Sequence, residues 1–155
     1  MEKDAKFWKP LADSKVQCNL CPHNCIIKND STGICGVRKN ENWKLYTLIY
    51  GSYSSMNVDP IEKKPIYHFY PGSNAFSIGT VGCNMQCLHC QNYSISTAKP
   101  NYFHLRRFPT EEPVRLAKQY RCDGIAWTYN EPTIWHEFIF ESMKIAKKQD
   151  LYSVY

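Results

Sequence analysis

The sequence predicts an α/β protein: the N-terminal part of a parallel (β/α) barrel, preceded by a small cysteine-rich metal-binding module. Three observations lead there. Residues 75–155 alternate short apolar runs with helical periods, in the order strand, helix, strand, helix, strand. A cysteine triplet comes directly after the first of those strands. Residues 1–40 carry four further cysteines in a stretch poor in apolar residues. The expected division is therefore 1–74, the cysteine-rich module with its connecting segment, and 75–155, the incomplete barrel.

Residues 1–40 read as irregular and organised by metal, because Pro22, Asn24, Asn29, Asp30 and Gly33 crowd turn formers between the cysteines. From 42 to 53, Trp43, Leu45, Thr47, Ile49 and Tyr53 suggest a short strand or hairpin. Pro60, Pro65, Pro71 and Gly72 break regular structure, so 54–74 reads as a connecting loop whose Tyr67, Phe69 and Tyr70 pack on the barrel part of the chain. The run 75–80 predicts the first strand. Residues 111–120 begin with two acids and Pro113 and then turn helical, a conventional helix start. Residues 124–129 predict the second strand, 133–148 a helix with Ile134, Phe138, Ile145 and Met143 on its apolar stripe, and 151–155 the third strand. An eight-unit barrel takes roughly 250 residues, so 75–155 hold about two and a half units. The expectation is a fragment of a longer protein.

Composition narrows the function classes. The chain is 43% hydrophobic and 21% charged with a net charge of +5, the profile of a globular protein. Its basic residues are scattered rather than gathered in a block, which gives nucleic-acid binding no support. No stretch approaches the roughly 20 apolar residues of a membrane span. The N-terminus lacks the apolar core of a signal peptide, so the expected location is the cytoplasm. In a reducing compartment dense cysteine points to metal or redox chemistry rather than disulfides. Cys122, alone before a strand, reads as a small buried hydrophobe.

The triplet Cys83-x3-Cys87-x2-Cys90 has the strongest chemical content. Iron–sulfur cubanes are held by cysteine thiolates, and three ligands leave one iron open for another molecule. Zinc normally takes four ligands, and His89, adjacent to Cys90, is poorly placed to share a tetrahedral ion with it. This spacing resembles that of the radical S-adenosylmethionine superfamily. So does the segment Thr128-Tyr129-Asn130-Glu131-Pro132, a variant of a Gly-Gly-Glu-Pro motif with Tyr129 and Asn130 in place of the glycines. Asp59-Pro60-Ile61-Glu62-Lys63-Lys64-Pro65, Tyr70-Pro71-Gly72 and the cysteine loop resemble, more narrowly, the radical enzyme of the AmmeMemoRadiSam system, a group related to pyruvate formate-lyase activating enzyme.

The resemblance implies a [4Fe–4S] cluster on Cys83, Cys87 and Cys90. It also implies S-adenosylmethionine held by His89, Asn92, Tyr129, Asn130 and Glu131, and a 5′-deoxyadenosyl radical that abstracts hydrogen from a small molecule or a partner protein's glycine. That chemistry calls for a one-electron donor such as ferredoxin or flavodoxin. No catalytic side chain is expected beyond the cluster and cofactor. Trp127, Tyr129 and the aromatics of 67–70 are candidates for excluding water. Glu131 also reads as a helix-start carboxylate.

The first group, Cys18, Cys21, Cys25 and Cys35, supplies four thiolates, enough for structural zinc or a second iron–sulfur cluster. Metal would provide the folding energy that so few apolar residues cannot. His23 is a substitute ligand or a surface residue. His136, in the first turn after Glu131, is a weaker site candidate; His68 and His104 read as packing or surface residues. Two other readings stand beside the enzyme: a zinc-stabilised module that binds nucleic acid or protein through its basic excess, and a fragment of radical-enzyme ancestry too short to act.

Overall fold

Short antiparallel strands lead the chain in a computed structural model that describes residues 3–100 and 105–155. They are β1 (Lys3–Asp4), β2 (Trp8–Pro10), β3 (Val16–Cys18), β4 (Ile26–Ile27), β5 (Arg38–Glu41) and β6 (Lys44–Thr47). β2, β3 and β4 form one sheet, and β1, β6 and β5 another. Asn42 and Trp43 join β5 to β6 with both φ angles positive, 50° and 61°, the turn sense that suits a twisted hairpin. Residues 1–40 are thus less irregular than their composition suggests. Strands of two to four residues are too short to display a period of two, and Arg38 and Asn40 fill buried strand positions with polar side chains. Ala5, Val16, Cys18, Ile27 and Leu45 make a small apolar cluster beneath these sheets.

The expected loop at 54–74 is corrected as well. After β7 (Ser52–Tyr53), β8 (Ser55–Pro60) pairs antiparallel with β9 (Asn74–Gly79) from Ser55↔Gly79 to Pro60↔Asn74. Pro60 lacks an N–H, and β8 tolerates it because it is an edge strand. A single 3-10 turn at Ile61–Lys63 comes next. Tyr67, His68, Phe69 and Tyr70 are all exposed, and of these Phe69 and Tyr70 lie against Tyr152 with ring centroids 5.3 and 5.0 Å away. His104 lies outside the described residues.

The remaining order agrees with the expectation: α1 (Tyr93–Ser96), β10 (Arg106–Arg107), α2 (Glu112–Gln119), β11 (Gly124–Trp127), α3 (His136–Lys147) and β12 (Tyr152–Val154). Neither α1 nor β10, which pairs with β7, has a sequence signal long enough to read. β9, β11 and β12 are parallel, and the sheet runs β12-β11-β9-β8. It is mixed and open; no closed barrel forms among the described residues. Parallel strands need crossover connections, which α2 and α3 supply. Phe76 and Ile78 of β9, Ile125 and Trp127 of β11, Val114 and Ala117 of α2, and Phe138 and Ile139 of α3 form the main core. The expected stripe of α3 holds at Ile134 and Phe138, with Met143 and Ile145 packed at its margin. Cys122 is buried in this core, as expected.

One buried ion pair ties the leading strands to α3. Arg38 and Glu137, with side chains 2% and 1% exposed, approach to 3.1 Å. Glu137 also accepts from the Lys6 amide at 2.7 Å, and Arg38 donates to the Lys6 carbonyl at 2.5 Å. Such a pair offsets its desolvation only with this kind of added hydrogen bonding.

Candidate cluster loop and cofactor cleft

The loop after β9 begins at Gly82, whose φ of +81° favours glycine. A Cβ there would meet Val37 Cγ1 at 2.5 Å and the Cys35 carbonyl oxygen at 2.7 Å. The loop is held by the Gly82 amide donating to the Ile95 carbonyl at 2.9 Å, and by the Cys90 amide donating to the Cys87 carbonyl at 3.2 Å. Cys83 and Cys90 are half-buried and Cys87 is exposed. All three thiols line one cavity of about 360 Å³, together with Met85, Tyr93 and Ser96. No fourth Cys, His, Asp or Glu lines it among the described residues. The Met85 amide donates to Cys83 Sγ at 3.4 Å, and Cys90 Sγ lies 3.4 Å from Ser96 Oγ. Three cysteines with no fourth ligand are the donor types that a cubane with one open iron would need, and hydrogen bonds to sulfur are one of the protein's means of tuning a cluster. As they stand, however, the three thiols are not gathered closely enough to hold an ion.

Two residues beyond Cys90, Asn92 enters the wall of a larger cleft of about 620 Å³. The cleft lies at the C-terminal ends of β11 and β12, where parallel α/β sheets place ligands. Tyr129, Asn130 and Glu131 line it as well. His89 differs: it is exposed on the cysteine loop and is not part of the cleft wall.

Tyr129 stands where the related motif has glycine, and it adopts φ +73°, in the left-handed region. A non-glycine residue held there stores on the order of 1–3 kcal/mol of strain. The backbone conformation that the two glycines permit is thus present without them. Gly79 makes the room: a Cβ there would run into the Thr128 carbonyl oxygen and would lie 2.9 Å from Tyr129 Cδ2. Burial pushes the Tyr129 phenol up, and the Asp59 carboxylate adds to that.

The Asn130 amide is spent on the loop, donating to the Gly82 carbonyl at 2.6 Å and accepting from the Thr80 amide at 3.3 Å. It clamps the end of β11 to the cysteine loop. Glu131 Oε1 accepts from the Thr133 amide at 3.1 Å and its hydroxyl at 2.5 Å, capping the 3-10 turn Pro132–Trp135 that precedes α3. The helix-start reading of Glu131 is therefore realised, and the same side chain lines the cleft.

The opposite charge in the cleft comes from residues that sequence reasoning missed. Asp59 is 2% exposed and receives Lys63 Nζ at 2.8 Å and Lys64 Nζ at 2.9 Å. Burial works against its ionisation, but the two ammonium groups outweigh that and hold Asp59 well below the usual carboxylate range. Lys64 Nζ also lies 5.7 Å from the Tyr129 ring centroid. The signal was the Asp-Pro-Ile-Glu-Lys-Lys-Pro string itself, whose spacing puts both lysines one turn beyond the aspartate. Trp127 and Gln91 also line the cleft.

His136 turns away from the cleft and packs against Phe7 and Phe140, at centroid distances of 5.0 and 5.6 Å. Burial pushes it down from its ordinary value, which suits an aromatic packing residue. His23 Nε2 lies 2.8 Å from the Asn84 carbonyl oxygen. A ring nitrogen facing a carbonyl must carry the proton, so Nε2 is not available to a metal. Cys18, Cys21, Cys25 and Cys35 line a second, narrow cavity. As they stand, no three His, Cys, Asp or Glu side chains among the described residues are gathered closely enough to hold an ion.

Fold and site together define a mixed α/β protein with a three-cysteine loop beside a charged cleft at its parallel strand ends. The comparisons then give the family. The sequence profile of the radical SAM superfamily matches residues 77–154, and the chain belongs to that superfamily. It is 43% identical over 152 residues to an uncharacterized protein of Methanocaldococcus jannaschii. That match takes in 98% of this chain but 46% of the relative, so the chain spans about half the length of the curated relative it matches. No solved structure matches it. Among the described residues no helix is long and apolar enough to cross a membrane.

Proposed function

We propose that this chain is the cluster- and cofactor-binding part of a radical S-adenosylmethionine enzyme, with Cys83, Cys87 and Cys90 as the ligands of a [4Fe–4S] cluster. The observation that carries the reading is a cavity lined by three thiols and no fourth ligand, directly after the first parallel strand. When bound, the cluster would supply one electron for reductive cleavage of S-adenosylmethionine into methionine and a 5′-deoxyadenosyl radical able to take a hydrogen atom from a substrate. The chain's own residues bind, orient and seal. Glu131 and the Asp59-paired Lys63 and Lys64 all line the cleft and offer opposite charges, a match for the ammonium and carboxylate of an amino-acid moiety. Asn92 and Tyr129 flank that site, Asn130 fixes the distance between cleft and cysteine loop, and Trp127 helps to exclude water.

The Asp59–Pro65 and Tyr70–Gly72 strings support the narrower reading, a radical enzyme of the AmmeMemoRadiSam type related to pyruvate formate-lyase activating enzyme. On that reading the protein works in the cytoplasm with ferredoxin or flavodoxin as electron donor, on a small molecule or a protein glycine. Superfamily membership favours this enzyme over a zinc-stabilised nucleic-acid or protein-binding module.

The test is anaerobic reconstitution with iron and sulfide, reduction with dithionite, and electron paramagnetic resonance with and without S-adenosylmethionine. A [4Fe–4S]⁺ signal that changes on adding the cofactor and vanishes in Cys87→Ala is expected. A colourless protein would overturn the cluster assignment. A cluster signal indifferent to S-adenosylmethionine would overturn the cleft assignment.

A further inference from the structure

The cavity lined by Cys18, Cys21, Cys25 and Cys35 differs in kind from the one at the cysteine loop. It measures about 20 Å³, against about 360 Å³ for the other. A space of that size holds about one water-sized occupant. That is the scale of one metal ion rather than of a [4Fe–4S] core.

Its walls carry the four thiols and one cation. Arg38 also lines the cavity, is 1% exposed, and keeps its Nε buried with no hydrogen-bond acceptor among the described residues. A buried N–H without an acceptor is costly, and a thiolate is the acceptor this cavity has to offer. Its guanidinium, paired on its other edge with Glu137, stands beside a site that four thiolates and one divalent ion would leave negative.

The cavity also shares a wall with the cluster loop. Asn84, directly after Cys83, lines it, as does Ile134 at the start of the α3 segment. His23, within the Cys21–Cys25 turn, meets the Asn84 carbonyl at 2.8 Å. Gly82 leaves no room for a Cβ against the Cys35 carbonyl.

We propose that Cys18, Cys21, Cys25 and Cys35 bind one tetrahedral divalent ion of the zinc class, and that this ion braces the loop that presents Cys83. Four thiolates suit zinc in a closed structural site, where the ion supplies folding energy. Binding draws together on the ion four thiols that, as they stand, are not gathered closely enough to hold one. The His23 imidazole is a strut to the loop rather than a ligand. None of this rests on what Cys83, Cys87 and Cys90 bind.

The experiment uses the full chain with Cys83, Cys87 and Cys90 replaced by alanine, so that only the first cysteine group can take metal. Cobalt(II) is titrated in anaerobically, then displaced with zinc. One equivalent with intense sulfur-to-cobalt absorption and tetrahedral d–d bands is expected, replaced stoichiometrically by zinc. Uptake of about four irons with sulfide on reconstitution would overturn the single-ion assignment, as would no binding at all. Cys35→Ser in the same background should lower the sulfur-to-cobalt intensity by about a quarter, with one of four thiolates lost; should that variant not fold, the spectrum of the parent alone decides. His23→Ala should leave the cobalt spectrum unchanged, because the ring is not a ligand. In the same triple-alanine background loaded with zinc, hydrogen exchange at residues 82–90 should be slower than without zinc, and that slowing should be smaller in His23→Ala. Exchange indifferent to both zinc and the His23 substitution would overturn the bracing.

Discussion

Asp59 shows how one side chain sets the chemistry of a wall. Its carboxylate is nearly out of solvent, yet two lysines make ionisation favourable. Because its folded pKa is depressed, Asp59 contributes stability above its unfolded value of about 3.9, lost as pH falls towards the lower folded value. Asp59→Asn should cost about 2 kcal/mol at neutral pH, the scale of hydrogen bonds to a charged group, discounted for the exposure of Lys63. It should also flatten the acid limb of the stability curve, read by urea unfolding between about pH 3 and 7. An unchanged acid limb would show that the two lysines do not depend on this carboxylate. Tyr129 is a second case in which a residue's identity misleads. Tyrosine in place of glycine argues against a left-handed backbone, yet Tyr129 adopts one, with Gly79 leaving room for its ring.

At the scale of elements, legibility depended on length and period. β9, β11, α2 and α3 carry clear apolar patterns, and the sequence reading places each within a few residues. β8 was missed because three prolines after position 59 look like a breaker, whereas an edge strand asks only one neighbour for hydrogen bonds and can end in Pro60. The turn from β9 into the cysteine loop is where an element boundary becomes chemistry. Gly82→Ala would force a Cβ into Val37 and the Cys35 backbone at a φ of +81°. The expected loss is about 2–3 kcal/mol, from backbone strain and overpacking together. Iron incorporation at Cys83, Cys87 and Cys90 should fall with it, measured as iron and sulfide per chain after reconstitution. Full iron loading with native stability would mean that the loop relaxes freely at this point.

For the whole molecule, the decisive contact is Arg38 with Glu137, which joins the leading strands to α3 across 99 positions of sequence. Glu137→Ala would leave a buried guanidinium without its partner and the Lys6 amide without its acceptor. Breaking a buried pair from one side costs roughly 3–5 kcal/mol. Chemical denaturation should show a loss on that scale, and a loss below about 1 kcal/mol would mean that solvent reaches Arg38 in the variant. Replacing both partners with apolar residues of similar volume should recover part of the stability, because the desolvation penalty goes with the pair.

Sequence alone determined the class of protein. Cysteine spacing is covalent information: C-x3-C-x2-C and the run of four thiols upstream are written in the chain and need no fold to be read. Strand–helix alternation is nearly as local, because periodicity reflects how each element buries one face. Only the tertiary structure decided the rest. Lys63 and Lys64 join Glu131 around one cleft, His89 and His136 stay outside it, and Asn84 forms a wall of the first cysteine cavity. Those relations depend on contacts between residues far apart in sequence, where loop closure and the packing of a shared core set distance and orientation, and no local pattern encodes either.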